Sequence, residues 1–72
     1  MERLVKVSVF EFATKYSSNY YIYKATEYDV KCTVVDRNMG LLKDKYLLKL
    51  KGTAENIQNF LDYLKYEGFK IG

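Results

Sequence analysis

Residues 16–24 read YSSNYYIYK, and their secondary structure decides the order of elements in the whole chain. A half-buried strand would alternate apolar and polar residues, but the four residues 20–23, YYIY, are consecutive and do not alternate. A serine at position 17 or 18 can cap a helix. The stretch therefore predicts a helix from about residue 18 to residue 28.

At ~100° per residue this predicted helix divides into two halves. The half assigned to the core holds Ser18, Tyr21, Ile22, Ala25 and Tyr28, and the half assigned to the surface holds Asn19, Tyr20, Tyr23, Lys24 and Glu27. Outward tyrosines beside a lysine are typical of a contact surface for a second subunit or a ligand. The inward pair, Tyr21 and Tyr28, is predicted to pack on the sheet at half-buried positions, with the hydroxyls reaching the rim.

Three other segments, residues 3–12, 30–37 and 45–51, alternate with period two and predict strands. Their inward residues are predicted to be Val5, Val7, Val9, Val30, Cys32, Val34, Tyr46, Leu48 and Leu50. On this pattern Cys32 is a small core residue. Asn38-Met39-Gly40 is a turn signal, and residues 36–40, DRNMG, are either the polar residues a hairpin needs or a loop that closes over a ligand.

The segment that follows predicts the clearest helix in the chain. Thr53 is a favourable N-cap, Glu55 suits the positive helix end and Gly68 suits the C′ position. Between them, one apolar stripe consists of Ile57, Phe60, Leu61 and Leu64. Residues 69–71 are long enough only for a short closing strand.

The order of predicted elements is β-α-β-β-α-β, which is the ferredoxin-like plan. The predicted fold class is therefore α+β, with two helices on one face of a four-stranded antiparallel sheet and the other face open. The 72 residues make one domain.

The composition excludes several functions. With no histidine and a single cysteine, the chain cannot build a histidine-based nucleophile, a histidine metal site, a cysteine zinc site or an internal disulfide. No spacing of carboxylates suggests a catalytic pair, so no enzyme, metal or cofactor is predicted. No apolar run approaches the ~18 residues needed to cross a bilayer, and the N-terminus lacks a signal-peptide core. The expectation is a cytoplasmic protein without a membrane partner.

The segment from residue 29 to residue 71 resembles the NIL domain, a small ferredoxin-like unit of methionine-importer ATPases and of some ferredoxins. The family pattern is a short V-N-I-L strand, then G-x-L-V-V-E-L-x-G, an amphipathic helix and L-x-x-x-G-V-x-V. The matching stretches here are residues 30–33, VKCT, residues 44–52, DKYLLKLKG, and residues 63–71, YLKYEGFKI. ACT-type regulatory domains share much of this pattern.

The resemblance implies the fold and a tendency to form homodimers. The family's strand asparagine falls on Lys31 and its glycine before the third strand falls on Asp44, so the methionine ligand is not carried over. The first functional hypothesis is a non-enzymatic regulatory or assembly module that dimerises and binds a small metabolite, such as an amino acid, at the subunit interface. Its ligand or interface candidates are Tyr20, Tyr23, Lys24, Lys31 and Thr33.

The second hypothesis is a nucleic-acid-binding protein that uses the open sheet face. In RNA-binding sheet folds, aromatic side chains on this face stack with bases and basic residues surround them. The candidates here are Lys6, Phe10, Lys31, Lys49 and Lys51, joined by Phe12 if the alternation persists. A solvated lysine-rich face that prevents sheet association is the simpler alternative, and an assembly subunit without a ligand is a third.

Overall fold

The computed structural model describes residues 1–10, 18–39 and 43–72, with the backbone alone at positions 9, 10, 18, 19, 38, 39, 43 and 44. In these residues the element order is β1 (Glu2–Phe10), α1 (Ser18–Glu27), β2 (Lys31–Met39), β3 (Lys43–Lys51), α2 (Ala54–Tyr66) and β4 (Lys70–Ile71). The four strands form one antiparallel sheet in the order β2-β3-β1-β4. The predicted ferredoxin-like α+β fold is confirmed.

The core lies between the sheet and the two helices. Its buried side chains are Val5, Val7, Tyr21, Ala25, Val30, Cys32, Tyr46, Leu48, Leu50, Ile57, Phe60, Leu61, Leu64 and Phe69. The described strand residues predicted to face inward all belong to this set except Val34, which is half-buried and packs against it. Val9 and Phe12 lie outside the described side chains. Alternation along each strand therefore separates a core face from an open face.

Helix α1 confirms the helical interpretation of residues 18–28 to within one residue at its C-terminal end. Tyr21 and Ala25 are fully buried, as predicted, but Ile22 is 38% exposed and its core assignment was wrong. The half of the wheel assigned to the core spans a wider angle than the stripe of side chains that one sheet can bury. Ile22 lies at the edge of that half. The helix ends at a Schellman motif, in which the N–H groups of Asp29 and Val30 donate to the carbonyls of Thr26 and Ala25.

Strand β2 contains a bulge that the sequence analysis missed. The pairing with β3 runs from Cys32 opposite Leu50 to Val34 opposite Leu48, and then skips Val35, so that Asp36 lies opposite Leu47. The extra residue moves each later residue of β2 to the face opposite the one that simple alternation would give it. Asp36 is thereby placed on the open face, while the Arg37 guanidinium lies over the Tyr46 ring, 5.6 Å from its centroid.

The bulge also revises the loop predicted between the second and third strands. Residues 36–39 continue β2 as far as Met39, which pairs with Asp44, so the polar loop and the turn expected over them were wrong. Gly40, the remaining residue of that prediction, lies outside the described residues. The pairing of β2 with β3 continues past this point because the bulge accommodates the two consecutive valines, Val34 and Val35, that interrupt the apolar alternation.

Helix α2 follows the sequence prediction closely. The Thr53 hydroxyl accepts a hydrogen bond from the Asn56 backbone N–H, and the apolar stripe is buried. Gly68 has a φ of +98°, the left-handed conformation expected of a C′ glycine. Neither helix in the described part of the chain is long and apolar enough to cross a membrane.

Candidate functional site

The open face of the sheet carries a concentration of positive charge. Among the described side chains, six exposed lysines lie on this face, here called the basic face: Lys6, Lys31, Lys45, Lys49, Lys51 and Lys70. Each alternates along its strand with a buried or half-buried neighbour, which places it opposite the helices. The carboxylates described on this side are those of Glu2 and Asp36. Six lysines against two carboxylates give this side a larger positive charge than the +3 of the whole chain.

The helix layer has the opposite charge balance. Its described charged side chains, on the two helices and the residues that follow them, are Lys24, Glu27, Asp29, Glu55, Asp62, Lys65 and Glu67. Five carboxylates against two lysines make the helices negative, but Arg3 and Arg37, the cross-strand partners of the buried Leu50 and Tyr46, reduce the excess on this side of the sheet to one negative charge. The described positive charge is therefore concentrated on the open side of the sheet, which neither α1 nor α2 covers. Such a segregation sets the sign of the ligand or surface that each side attracts.

The basic face is not uniformly available to an anion. Lys49 Nζ lies 3.7 Å from the Glu2 carboxylate, and both side chains are about half exposed. Exposed pairs of this kind add little stability, but they do offset a local charge. Lys31 and Lys51 are direct cross-strand partners and lie beside Asp29 in a shallow depression.

The remaining three lysines surround a concavity of about 510 Å³ at one end of the face. Its lining includes Lys6, Ser8, Asp36, Lys45, Leu47 and Lys70. Ser8 lies directly opposite Lys45 on one side and Lys70 on the other, because β1 is flanked by β3 and β4. Three lysines, one serine and one aspartate thus line a single hollow, here called the basic concavity.

The residues predicted for nucleic-acid binding are largely brought together. Lys6, Lys31, Lys49 and Lys51 are exposed on one face, whereas the Phe10 side chain lies outside the described residues. The apolar side chains described on this face are Leu4, Val35 and the half-buried Leu47, none of them aromatic. In the described region the face therefore provides cationic groups but no stacking platform.

The tyrosines of α1 are explained mostly by packing between the two helices. Tyr20, Lys24 and Tyr28 recur every fourth residue and form one stripe that faces α2. The Tyr20 hydroxyl lies 3.0 Å from the Tyr63 hydroxyl, the Lys24 ammonium lies 4.9 Å from the centroid of the Tyr63 ring, and the Tyr28 ring lies 5.7 Å from that ring. We call this contact the tyrosine seam.

The seam corrects part of the sequence prediction. Tyr20 was expected to point outward, but it is half-buried and its ring stacks on Phe69 with centroids 6.0 Å apart. Burial raises the pKa of Tyr63, with a smaller contribution from the neighbouring Glu67 carboxylate. The pKa of Lys24 is raised mainly by its hydrogen bond to Glu27, which lies 3.0 Å away.

The five ligand or interface candidates are divided between two surfaces. Tyr20 and Lys24 belong to the tyrosine seam, and Tyr23 is 73% exposed on the outer side of α1, as predicted. Lys31 and Thr33 are exposed on the open face of the sheet, on the far side of the core. The structure therefore does not bring the five candidates together at one site.

Sequence reasoning missed several members of the basic concavity as candidates. Ser8, Lys45 and Lys70 were not among the candidates, and Asp36 was considered only at the end of a strand or in a loop. The consecutive valines at 34 and 35 are a signal that could have indicated the bulge and hence the position of Asp36. No such signal exists for Lys70, because two residues of strand do not define a register.

Cysteine and carboxylate chemistry finds little support in the described residues. Cys32 is buried at the predicted core position, and burial raises the pKa of its thiol to about 11. A thiol that stays protonated at neutral pH is a weak nucleophile and a weak metal ligand. Across the described ranges, no three cysteine or carboxylate side chains lie close enough together to hold a metal ion.

Comparison with models of known protein families gave no match, and comparison with curated proteins gave none either. The resemblance to the NIL domain therefore stays a prediction.

Proposed function

We propose that this protein is a non-enzymatic binding module whose basic face binds the phosphate backbone of a nucleic acid. The observation that carries the proposal is the concentration of charge: among the described side chains, six lysines against two carboxylates lie on the open face of the sheet, while the charges on the helix side nearly cancel. A nucleic acid presents a regular row of phosphates, and lysines that neutralise them release condensed counterions. The same field orients the protein as it approaches, with the sheet toward the polyanion.

The chemistry of the face favours contacts to phosphate over contacts to bases. Lysine ammonium groups bind phosphates as point charges. Base stacking needs aromatic side chains, and the described side chains of this face include none. The expected binding is therefore strongly dependent on salt and weakly dependent on sequence.

A salt titration with a fluorescently labelled single-stranded oligonucleotide tests this proposal. Five lysines of the face lie outside the ion pair with Glu2, so the slope of log K against log salt is expected to be about −3.5 at most, at about −0.7 for each phosphate. No binding at low salt, or binding whose affinity is unchanged between about 50 and 200 mM salt, would contradict the proposal.

A matched pair of variants assigns the binding to the correct side of the molecule. Lys51→Gln removes one charge from the basic face, and Lys65→Gln removes one from the exposed surface of α2. The first change is expected to weaken binding and to reduce the salt slope by about 0.7. The second is expected to leave both nearly unchanged. Equal losses would indicate attraction to the net charge alone.

A second candidate function is the dimerising, metabolite-binding module that the NIL resemblance suggests. The observation in its favour is a pair of exposed apolar residues on the open face, Leu4 at 63% and Val35 at 53%, which line a second concavity of about 600 Å³ with Arg3 and Lys49. Exposed apolar groups of this kind often mark interfaces. Both candidates assume an intracellular protein.

Added salt is expected to have opposite effects on the two candidate functions, dimerisation and nucleic-acid binding. A dimer that pairs two open faces brings twelve lysines together, so added salt is expected to strengthen the dimer by screening their repulsion. Added salt weakens binding to nucleic acid. Light scattering of the wild type and of Leu4→Lys, with and without salt, measures the dimer. A monomer under every condition would contradict this second candidate.

A further inference from the structure

The basic concavity has the geometry of a discrete site, and it is distinct from the rest of the basic face. We propose that Lys6, Lys45 and Lys70 converge on a single phosphate group held above the Ser8 hydroxyl. The inference rests on the proposed function and deepens it, because it assigns one defined phosphate-binding position within a surface that otherwise attracts phosphates diffusely.

The sheet register brings these groups together. Lys45 and Lys70 are the two direct cross-strand partners of Ser8, so their Cα atoms lie roughly 10 Å apart, across two strand spacings. Lys6 precedes Ser8 by two residues on the same strand and the same face, roughly 7 Å away. Long flexible side chains from three sides can thus reach one anion above Ser8, whose hydroxyl adds a hydrogen-bond donor.

The backbone under the site is well fixed. Strand β4 is short, but its pairing with β1 is extended by two hydrogen bonds between Lys6 and Gly72, in which the Gly72 N–H donates at 2.9 Å and the Lys6 N–H donates at 3.3 Å. Ile71 packs against the core on the opposite side of the strand. Lys70 therefore has a defined starting position beside Ser8, which lowers the entropy lost when the lysine is ordered on a ligand.

The other lysines of the face lack this convergence. Lys49 is paired with Glu2. Lys31 and Lys51 lie opposite each other, but the depression beside them is lined by Thr26, Asp29 and Val30, with no third lysine among its described residues. Lys31 and Lys51 carry the same charge as Lys45 and Lys70 and lie on the same face. Each of the two pairs also has one aspartate nearby. The Lys31–Lys51 pair is therefore a natural internal control.

Substitution of Asp36 provides a test of the proposal in which phosphate affinity rises, an effect that loss of folding could not produce. Asp36 supplies the side-chain carboxylate among the described lining residues of the basic concavity, and one of its oxygens accepts a hydrogen bond from the Arg37 backbone N–H at 2.8 Å. Its charge opposes an anion in the hollow. Asp36→Asn keeps a side-chain oxygen that can accept the same hydrogen bond and removes the repulsion, so phosphate affinity is expected to rise.

The test uses inorganic phosphate and a single-stranded oligonucleotide as two probes, each titrated against the full chain and followed by calorimetry or NMR. Lys45→Gln/Lys70→Gln is expected to weaken phosphate binding by about tenfold or more, since two charge-assisted contacts are lost. Lys31→Gln/Lys51→Gln is expected to leave phosphate binding nearly unchanged. Asp36→Asn is expected to strengthen it. Thermal unfolding of all three variants checks that these exposed substitutions leave the fold intact.

The two probes separate failure of this inference from failure of the proposed function. If the oligonucleotide binds and the two double variants weaken both probes equally, the discrete site is wrong and the proposed function stands. If phosphate binds with the expected ranking of variants but the oligonucleotide does not bind at low salt, the site belongs to a small phosphate-bearing ligand and the proposed function is wrong. If Asp36→Asn weakens phosphate binding, the assigned position of the anion is overturned.

Discussion

The hydroxyls of Tyr20 and Tyr63 lie 3.0 Å apart and join the two helices across 43 residues of sequence. The Tyr20 ring also stacks on Phe69, immediately before β4. This one side chain therefore links the start of α1 to both α2 and the end of the chain that carries Lys70. The tyrosine-rich stretch that suggests a ligand surface in the sequence is largely part of the framework that supports the sheet.

The first prediction concerns this hydrogen bond. Tyr20→Phe and Tyr63→Phe are each expected to lower the free energy of unfolding by about 1 kcal/mol, because each leaves one half-buried hydroxyl without this partner. The double variant is expected to lose less than the sum of the two. Chemical denaturation of the wild type, the two single variants and the double variant gives the four free energies of unfolding for a double-mutant cycle. Strictly additive losses would show that the two hydroxyls do not interact. Tyr23→Phe, at an exposed position, is the control and should change little.

The second prediction concerns Tyr46, whose side chain is 2% exposed. Within the described part of the chain its hydroxyl is buried without a hydrogen-bond partner, which costs about 1–3 kcal/mol of desolvation. Tyr46→Phe keeps the ring contact with Tyr21, at 4.8 Å between centroids, and is expected to match or exceed wild-type stability in thermal unfolding. Tyr46→Leu, which loses that ring contact, should be less stable. A clear loss of stability in the phenylalanine variant would count against the assigned environment.

The third prediction compares the two helix ends. Asp29 and Gly68 occupy equivalent C′ positions of Schellman motifs, with φ values of +57° and +98°. Asp29→Gly is expected to stabilise the fold by up to about 1 kcal/mol, because a non-glycine residue is strained there. Gly68→Ala is expected to destabilise it by a similar amount.

Asp29→Ala separates the backbone effect from the charge effect. It removes the same carboxylate from the negative end of α1 but keeps a Cβ in the left-handed conformation. If Asp29→Ala stabilises the protein as much as Asp29→Gly does, the benefit comes from removing the charge. Denaturant midpoints of all four proteins give the comparison.

The fourth prediction concerns alkaline pH. The pKa of the Cys32 thiol is about 11 in the folded protein, against an ordinary value of 9.0. The folded state therefore holds its proton more tightly, so the stability from this group is fully present below pH 9 and is lost as the pH rises through about 11. Cys32→Val removes the titrating group and should show a shallower fall in stability over this range. Identical pH profiles for the two proteins would contradict the raised pKa.

The sequence alone was sufficient for the elements and their order. Local signals determine them: alternation in three strands, one apolar stripe, Thr53 as N-cap and Gly68 as C′ residue. The same signals located the predicted Lys6, Lys31, Lys49 and Lys51 on the open face, because alternation assigns a strand residue to a face without reference to its neighbours. Phe10 is the exception, since its side chain is not described.

Only the tertiary structure decided which side chains meet. A helical wheel gives an angle about the axis of α1 but does not show that the helix packs on two sides, with Tyr21 against the sheet and Tyr20 against α2. Likewise the bulge at Val35 moves Asp36 to the open face, and the pairing of β4 places Lys70 beside Ser8. Register and helix contacts depend on residues far apart in the chain, whereas periodicity depends on neighbours. The sequence therefore determined a two-layer fold with a basic side, and long-range packing determined where on that side three lysines converge.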